Sequence, residues 1–206
     1  MIYSEPQWIV GVDECSYGSW VGNVWAAAVI LRENIPGLND SKKLTPAKRE
    51  TLAKSIREKA LSYGLGYATA QEIDEVGPLK ASHLAMLRAI NKIHVPIGKI
   101  LVDGNKVPKW GWDTEAIIKG DTKIPEIMAA SILAKVARTH EMADLAKLYP
   151  QYGFDKHQGY GTAEHRAALE KYGPLAEHRH SYKPIIEVTK AKQKKHFGFN
   201  WTNLNL

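Results

Sequence analysis

The sequence predicts one α/β domain with helical extensions. Three observations carry that expectation. Short apolar runs bounded by turn residues alternate with segments of helical period, and the strongest strand candidates close on carboxylates. No internal repeat or long linker interrupts the 206 residues, 44% of them hydrophobic, so the chain is long enough for one core and short for two.

Residues Trp8 to Val12 and Val24 to Leu31 read as neighbouring antiparallel strands across a glycine-containing turn. From Pro46 to Tyr63 the period changes. Thr45 stands as N-cap before a first-turn proline, and Leu52, Ile56 and Ala60 recur at helical spacing. "GLGYATA" follows as a strand, and Leu79 to Ile93 as a second amphipathic helix. "KILVDG" and "AIIKGD" each read as a short apolar strand closing on an acid, which places Asp103 and Asp121 at strand ends. Glu126 to Leu148 is the longest predicted helix, and its early part is apolar on nearly every side, as for a helix lying on a sheet and covered by others. A further helix runs from about Ala163 to Tyr172, and the chain closes in a basic, aromatic-bearing segment. The expected division is one α/β domain with its helical part over 1–185 and a basic, aromatic tail over 186–206.

Charge and cysteine usage narrow the function classes. Lys and Arg number 28 against 22 Asp and Glu, a formal net charge of +6 that favours an anionic partner. Cys15 is the single cysteine, which excludes an internal disulfide and a thiolate zinc cage and points to a reducing compartment. "MIYSEPQWIV" lacks the basic and apolar regions of a secretion signal, and no apolar run approaches membrane length. A soluble, cytoplasmic monomer without membrane contact is expected.

The stretch "VDECSYG" sets two acids side by side at the end of a strand. Alternation sends Asp13 and Glu14 to opposite faces, so one of them is expected to leave the strand ladder. Carboxylates at the C-terminal ends of strands stand where open α/β sheets place ligands, and Asp13, Asp103 and Asp121 are all candidates for that edge. Their convergence would be repulsive without a cation, and hard oxygen donors favour magnesium or manganese over zinc. Each acid alone has an ordinary alternative, and Asp121 in particular is placed to cap the helix that begins near Pro125.

The segments "GVDECSYGSWVGNVWAAAVIL", "NDSKKL", "LVDGN", "IKGDTKIPEIMAASILAKVAR", "YPQYGFDKHQGYGT" and "HRHSYKP", in this order, resemble the type 2 ribonuclease H family (ribonuclease HII) over most of the chain. The resemblance implies a ribonuclease H-like fold: a mixed five-stranded sheet flanked by helices, with a C-terminal helical extension. It implies cleavage of RNA in RNA/DNA hybrids and of DNA duplexes containing ribonucleotides, with two divalent ions, Mg2+ or Mn2+, as cofactors. Asp13, Glu14, Asp103 and Asp121 match the family's catalytic acids and metal ligands.

Lys42 and Lys43 match residues that line the nucleic acid, and Tyr160 matches a tyrosine that stacks on the sugar beside the RNA/DNA junction. Lys119, Lys123, Lys135 and Arg138 flank the Asp121 motif as further cations. Where the family has a Gly-Arg-Gly turn that holds the junction, this chain has Ser16, Tyr17 and Gly18. That departure suggests a divergent member preferring RNA runs, with a hybrid-binding protein that does not cut as the contrasting alternative. Some family members end in a sliding-clamp peptide, to which "QKKHFGF" is a poor match.

Overall fold

The computed structural model describes residues 7–197 and builds them around one mixed sheet. Its strands are β1 (Trp8–Cys15), β2 (Val24–Ile30), β3 (Ser62–Ala68), β4 (Ile97–Asp103) and β5 (Thr114–Ile117), ordered β3-β2-β1-β4-β5. β1 runs antiparallel to β2, β2 antiparallel to β3, and β4 parallel to both β1 and β5. The helices are α1 (Pro46–Lys59), α2 (Ala70–Val76), α3 (Pro78–Ile90), α4 (Pro125–Leu148), α5 (Phe154–His157), α6 (Ala163–Tyr172) and α7 (Lys183–Phe197).

Alternation along β2 explains why helices cover both faces. Val24, Ala26, Ala28 and Ile30 pack with Ala81, Ala85 and Ala89 of α3, while Ala27 and Val29 pack with Ala129, Ala130 and Leu133 of α4. Leu52, Ala53 and Ile56 of α1 join the α4 side. A third apolar cluster gathers Met142, Leu145, Tyr152, Phe154, Leu169, Ile185 and Val188 at the C-terminal helices. The division expected at 185/186 falls inside α7, and residues 198–206, into which "QKKHFGF" runs, lie outside the described residues.

Close approach of α4 to β1 depends on Gly11. A Cβ there would stand 2.2 Å from the Glu126 carbonyl carbon and 2.4 Å from the Ile127 nitrogen, both backbone atoms of the α4 N-terminus. Backbone cannot move aside as a flexible side chain would. Gly11→Ala is therefore expected to destabilise the fold by about 2 kcal/mol, lowering the melting midpoint by roughly 4–8 °C. An unchanged midpoint in a thermal melt would contradict this packing.

Several expected boundaries move. The first helix ends at Lys59 instead of Tyr63, because Ala60 turns extended (φ −60°, ψ 142°) and Ser62 and Tyr63 pair with Ile30 and Val29 in the sheet. β1 continues through both acids to Cys15, with Asp13 opposite Ala27 and Glu14 opposite Ala26, so neither acid leaves the ladder. β5 stops at Ile117; Lys119 turns left-handed (φ 56°), and Asp121 sits in the following single 3-10 turn, not at a strand end.

Candidate active site

Sheet register brings the first two acids together. Val12 lies beside Val102 in the parallel pair, which makes Asp13 and Asp103 the next residues at the C-terminal edges of β1 and β4. Both have the parity opposite to Val12 and Val102, which face α3, and therefore lie on the α4 side. The 3-10 turn adds Asp121, held near by the Gly120 N–H, which donates to Asp103 Oδ1 at 2.7 Å. Carboxylate oxygens of Asp13, Asp103 and Asp121 all lie within 4.8 Å of one another. Glu14 has the other parity and stands outside this cluster, although it lines the same cavity. Asp121 does not cap α4, whose N-cap is Ile124.

The cavity measures about 370 Å³, and its walls include Asp13, Glu14, Asp103, Lys42, Lys135 and Tyr160. A larger groove of about 680 Å³ lies over β3, but Glu72 and Arg88 within it are spent on an ion pair of 2.6 Å. The smaller cavity, which holds the clustered acids Asp13 and Asp103, is therefore the candidate site.

Burial, reinforced by Glu14, Asp103 and Asp121, holds the Asp13 carboxyl well above the ordinary carboxylate range. Burial and then the Asp103 charge push Glu14 up to about 7, and burial with the Asp121 charge raises Asp103. A hard divalent cation fits this donor set, being all oxygen and mutually repulsive until neutralised. The neighbouring Cys15 is no competing thiolate: its thiol donates to the Ala134 carbonyl at 3.2 Å, and burial pushes it up to about 12.

A pH dependence follows for the metal-free protein. Glu14 titrates near 4.5 unfolded and about 7 folded, so the folded state binds more protons between those values and loses stability as pH rises through them. Buried His165 and His178, pushed down to about 4 and about 3, act with opposite sign but only below the ordinary histidine value of 6.5. With chelator present, the melting midpoint is expected to fall between about pH 6.5 and about pH 8, and magnesium is expected to restore it at the upper end. A midpoint indifferent to magnesium at high pH would count against a cation site here.

The remaining sequence candidates divide. Lys42 Nζ reaches Asp121 Oδ2 at 3.0 Å, which raises the lysine above its usual value. Lys43 is exposed and is not among the lining residues. Ser16, Tyr17 and Gly18 line the cavity, as does Tyr160, and both tyrosine rings remain substantially exposed. Ser16 takes the left-handed conformation (φ 70°) that glycine ordinarily supplies, and its hydroxyl donates to the Asn23 carbonyl at 2.9 Å, holding it there. Arg138 is buried, pairing with Glu141 at 2.7 Å and bonding Ser19 and Val21, so it belongs to the scaffold.

Ser131 and Arg179 were not among the sequence candidates, whereas Lys135 was. Ser131 lines the cavity from α4 with a buried hydroxyl that has no hydrogen-bond partner among the described residues, and Lys135 follows one turn later with its ammonium 5.9 Å from the Tyr160 ring centroid. Their i, i+4 spacing was the available signal. Arg179, in "HRHSYKP", is fully buried and donates to the carbonyls of Ser16, Tyr17, Gly22 and Asn23 and to the Tyr182 hydroxyl.

Among the described residues no helix is long and apolar enough to cross a membrane. A profile of the family Ribonuclease HII matches residues 10–185. A Ribonuclease HII of Shewanella piezotolerans is 54% identical over 180 residues, spanning 86% of this chain and 89% of its own. One of Neisseria meningitidis is 51% identical over 178 residues, spanning 85% and 92%. Among solved structures, the ribonuclease H2 of Pyrococcus horikoshii matches with a TM-score of 0.76 at 26% identity, over 90% of this chain and 99% of that one. With the sheet order, the acidic cluster and these matches in agreement, the chain belongs to the ribonuclease HII family and is a ribonuclease H.

Proposed function

We propose that the protein hydrolyses the RNA strand of RNA/DNA hybrids and also cuts 5′ of ribonucleotides embedded in duplex DNA, leaving 5′-phosphate and 3′-hydroxyl ends. The observation that carries the reading is the convergence of Asp13, Asp103 and Asp121 within 4.8 Å, with Asp13 and Asp103 lining a cavity that also presents Lys42, Lys135 and Tyr160. Asp13, Asp103 and Asp121 would hold two divalent ions, magnesium or manganese, with Glu14 contributing from the opposite face of β1. When bound, such ions supply Lewis-acid stabilisation of charge at the scissile phosphate. The protein's own groups do the rest. Lys42, tethered beside Asp121, is the cation nearest the acids for an adjacent phosphate, with Lys43 adding charge beside it. Tyr160 offers an exposed ring at the sugar, where the 2′-hydroxyl is the feature that separates RNA from DNA.

The turn after the acids supports a modified junction preference. Ser16 and Tyr17 both aim their carbonyls inward at Arg179, and with trans peptides the following amides, Tyr17 N–H and Gly18 N–H, point the opposite way. Backbone donors are thus retained for a phosphate or hydroxyl, while the family's arginine is replaced by the neutral Tyr17 ring. A preference for RNA runs over single ribonucleotides follows from the missing cation.

The test is cleavage of three labelled duplexes, carrying one ribonucleotide, a short RNA run or DNA alone, with magnesium, manganese or chelator. Metal-dependent cutting of both RNA-containing duplexes supports the reading, and folded protein that binds hybrid without cutting would overturn it. Restoring Gly-Arg-Gly by Ser16→Gly with Tyr17→Arg is expected to raise single-ribonucleotide cleavage about tenfold relative to the RNA run, the worth of one charge-assisted contact. An unchanged ratio in a folded variant would remove Tyr17 as the source of any altered preference.

A further inference from the structure

Three histidine rings, His157, His165 and His178, are buried beside the cavity among Tyr152, Phe154 and Trp20. Every ring nitrogen has a protein partner. His178 Nδ1 accepts from the Leu175 N–H at 2.8 Å and is therefore unprotonated, which puts the proton of the neutral ring on Nε2. That Nε2 lies 3.1 Å from His165 Nε2, so His178 donates and His165 accepts. His165 must then carry its proton on Nδ1, which lies 3.1 Å from the Tyr160 carbonyl oxygen. His157 is fixed in the same way: Nδ1 accepts from the Gly159 N–H at 3.2 Å, leaving Nε2 to donate to the Tyr152 carbonyl at 2.8 Å. Its ring stacks on His165 with centroids 4.6 Å apart and planes 13° from parallel.

With all six nitrogens engaged, the cluster has no lone pair free for a metal, and the hydrogen bonds through His178 and His165 run in one direction from Leu175 to Tyr160. The loop at its end has little freedom. Tyr160 N–H donates to the His157 carbonyl at 3.0 Å, and a Cβ on Gly161 would stand 2.0 Å from the Trp20 ring. Backbone is pinned on both sides of Tyr160 while its side chain stays 39% exposed in the catalytic cavity.

We propose that His165 and His178 are positioning residues for Tyr160: a tautomer fixed at Leu175 is relayed through two buried rings to the Tyr160 carbonyl, setting the angle at which the tyrosine meets the nucleic-acid sugar. This rests on the reading of Tyr160 as a substrate contact. A structural core histidine would stabilise the domain without reference to Tyr160. A relay that ends on that carbonyl also makes selectivity depend on the tautomer.

The test compares His178→Asn, His178→Gln, Tyr160→Ala and the Tyr160→Ala/His178→Asn double variant, each assayed well below its own melting midpoint. Asn keeps an acceptor for the Leu175 N–H but cannot reach His165, whereas Gln keeps a donor at the Nε2 position. His178→Asn is expected to lower kcat/KM on the single-ribonucleotide duplex about fivefold more than on the RNA run, the worth of one hydrogen bond, and His178→Gln to recover most of that ratio. In the Tyr160→Ala background His178→Asn should leave the ratio unmoved. Equal effects of His178→Asn with and without Tyr160 would overturn the relay alone, and unimpaired Tyr160→Ala would overturn the substrate reading and the relay with it. A measurement free of variants is the nitrogen-15 spectrum of histidine-labelled wild type near neutral pH. Nδ1–H on His165 with Nε2–H on His178 is expected, and the reverse pair would sink the assignment.

Discussion

Asp13→Asn is expected to abolish cleavage of every RNA-containing duplex, by at least about 10³-fold in kcat, while raising the melting midpoint of the metal-free protein. Both effects come from one charge. Asp13 is 6% exposed and faces Asp103 and Asp121 across less than 4.8 Å, so in the absence of a cation its ionisation is opposed by burial and by three neighbouring acids. Asparagine removes the charge and keeps the local bond, because its amide oxygen can accept from the Glu14 N–H as Asp13 Oδ1 does at 2.8 Å. Loss of activity thus has no folding explanation. Relief of repulsion of even 1 kcal/mol should appear as a rise of roughly 2–4 °C in chelator. Adding magnesium should raise the midpoint of wild type and leave that of the variant nearly unmoved. A variant that melts lower than wild type in chelator would mean that the acids are held apart and neutralised by something other than a metal ion.

Motif order and strand parity carried much of this site. Asp103 is legible as the polar end of an apolar strand, and the close packing of α4 on the sheet is legible in its alanines. Other features depend on contacts that no local window contains. Asp121 looked like a strand end because "AII" before it is apolar, yet β5 has only the β4 edge to pair with, and the left-handed Lys119 diverts the chain two residues after β5 ends at Ile117. The first helix read too long because "ALSY" continues its apolar spacing, while pairing to β2 claims Ser62 and Tyr63 for the sheet. By contrast α2 had a local signal, since Thr69 and Glu72 form a capping box with both reciprocal bonds present. Arg179 bonds the carbonyls of residues 163 and 162 positions earlier, and the histidine chain needs His165 and His178, 13 residues apart, to meet across the end of α6.

Arg179→Gln is expected to cost about 3 kcal/mol, a drop near 10 °C in the melting midpoint, together with a disproportionate loss on the single-ribonucleotide duplex. The guanidinium is fully buried and its bonds go to backbone carbonyls and a hydroxyl, so it fastens both ends of the segment between β1 and β2 to the start of α7. Glutamine can satisfy two of those acceptors at most, leaving buried carbonyls unpaired. Tyr182 would still donate to the Tyr17 carbonyl at 2.7 Å, so the turn loosens without detaching. The Tyr17 and Gly18 amides would then lose the orientation fixed opposite Arg179, while Asp13, Asp103 and Asp121, held by the sheet and the 3-10 turn, keep theirs. Cleavage within an RNA run should therefore fall less than cleavage at one ribonucleotide when both are measured at a temperature where the variant is folded. Equal losses on the two duplexes would mean that the turn contributes to the acids' geometry and not to reading the junction.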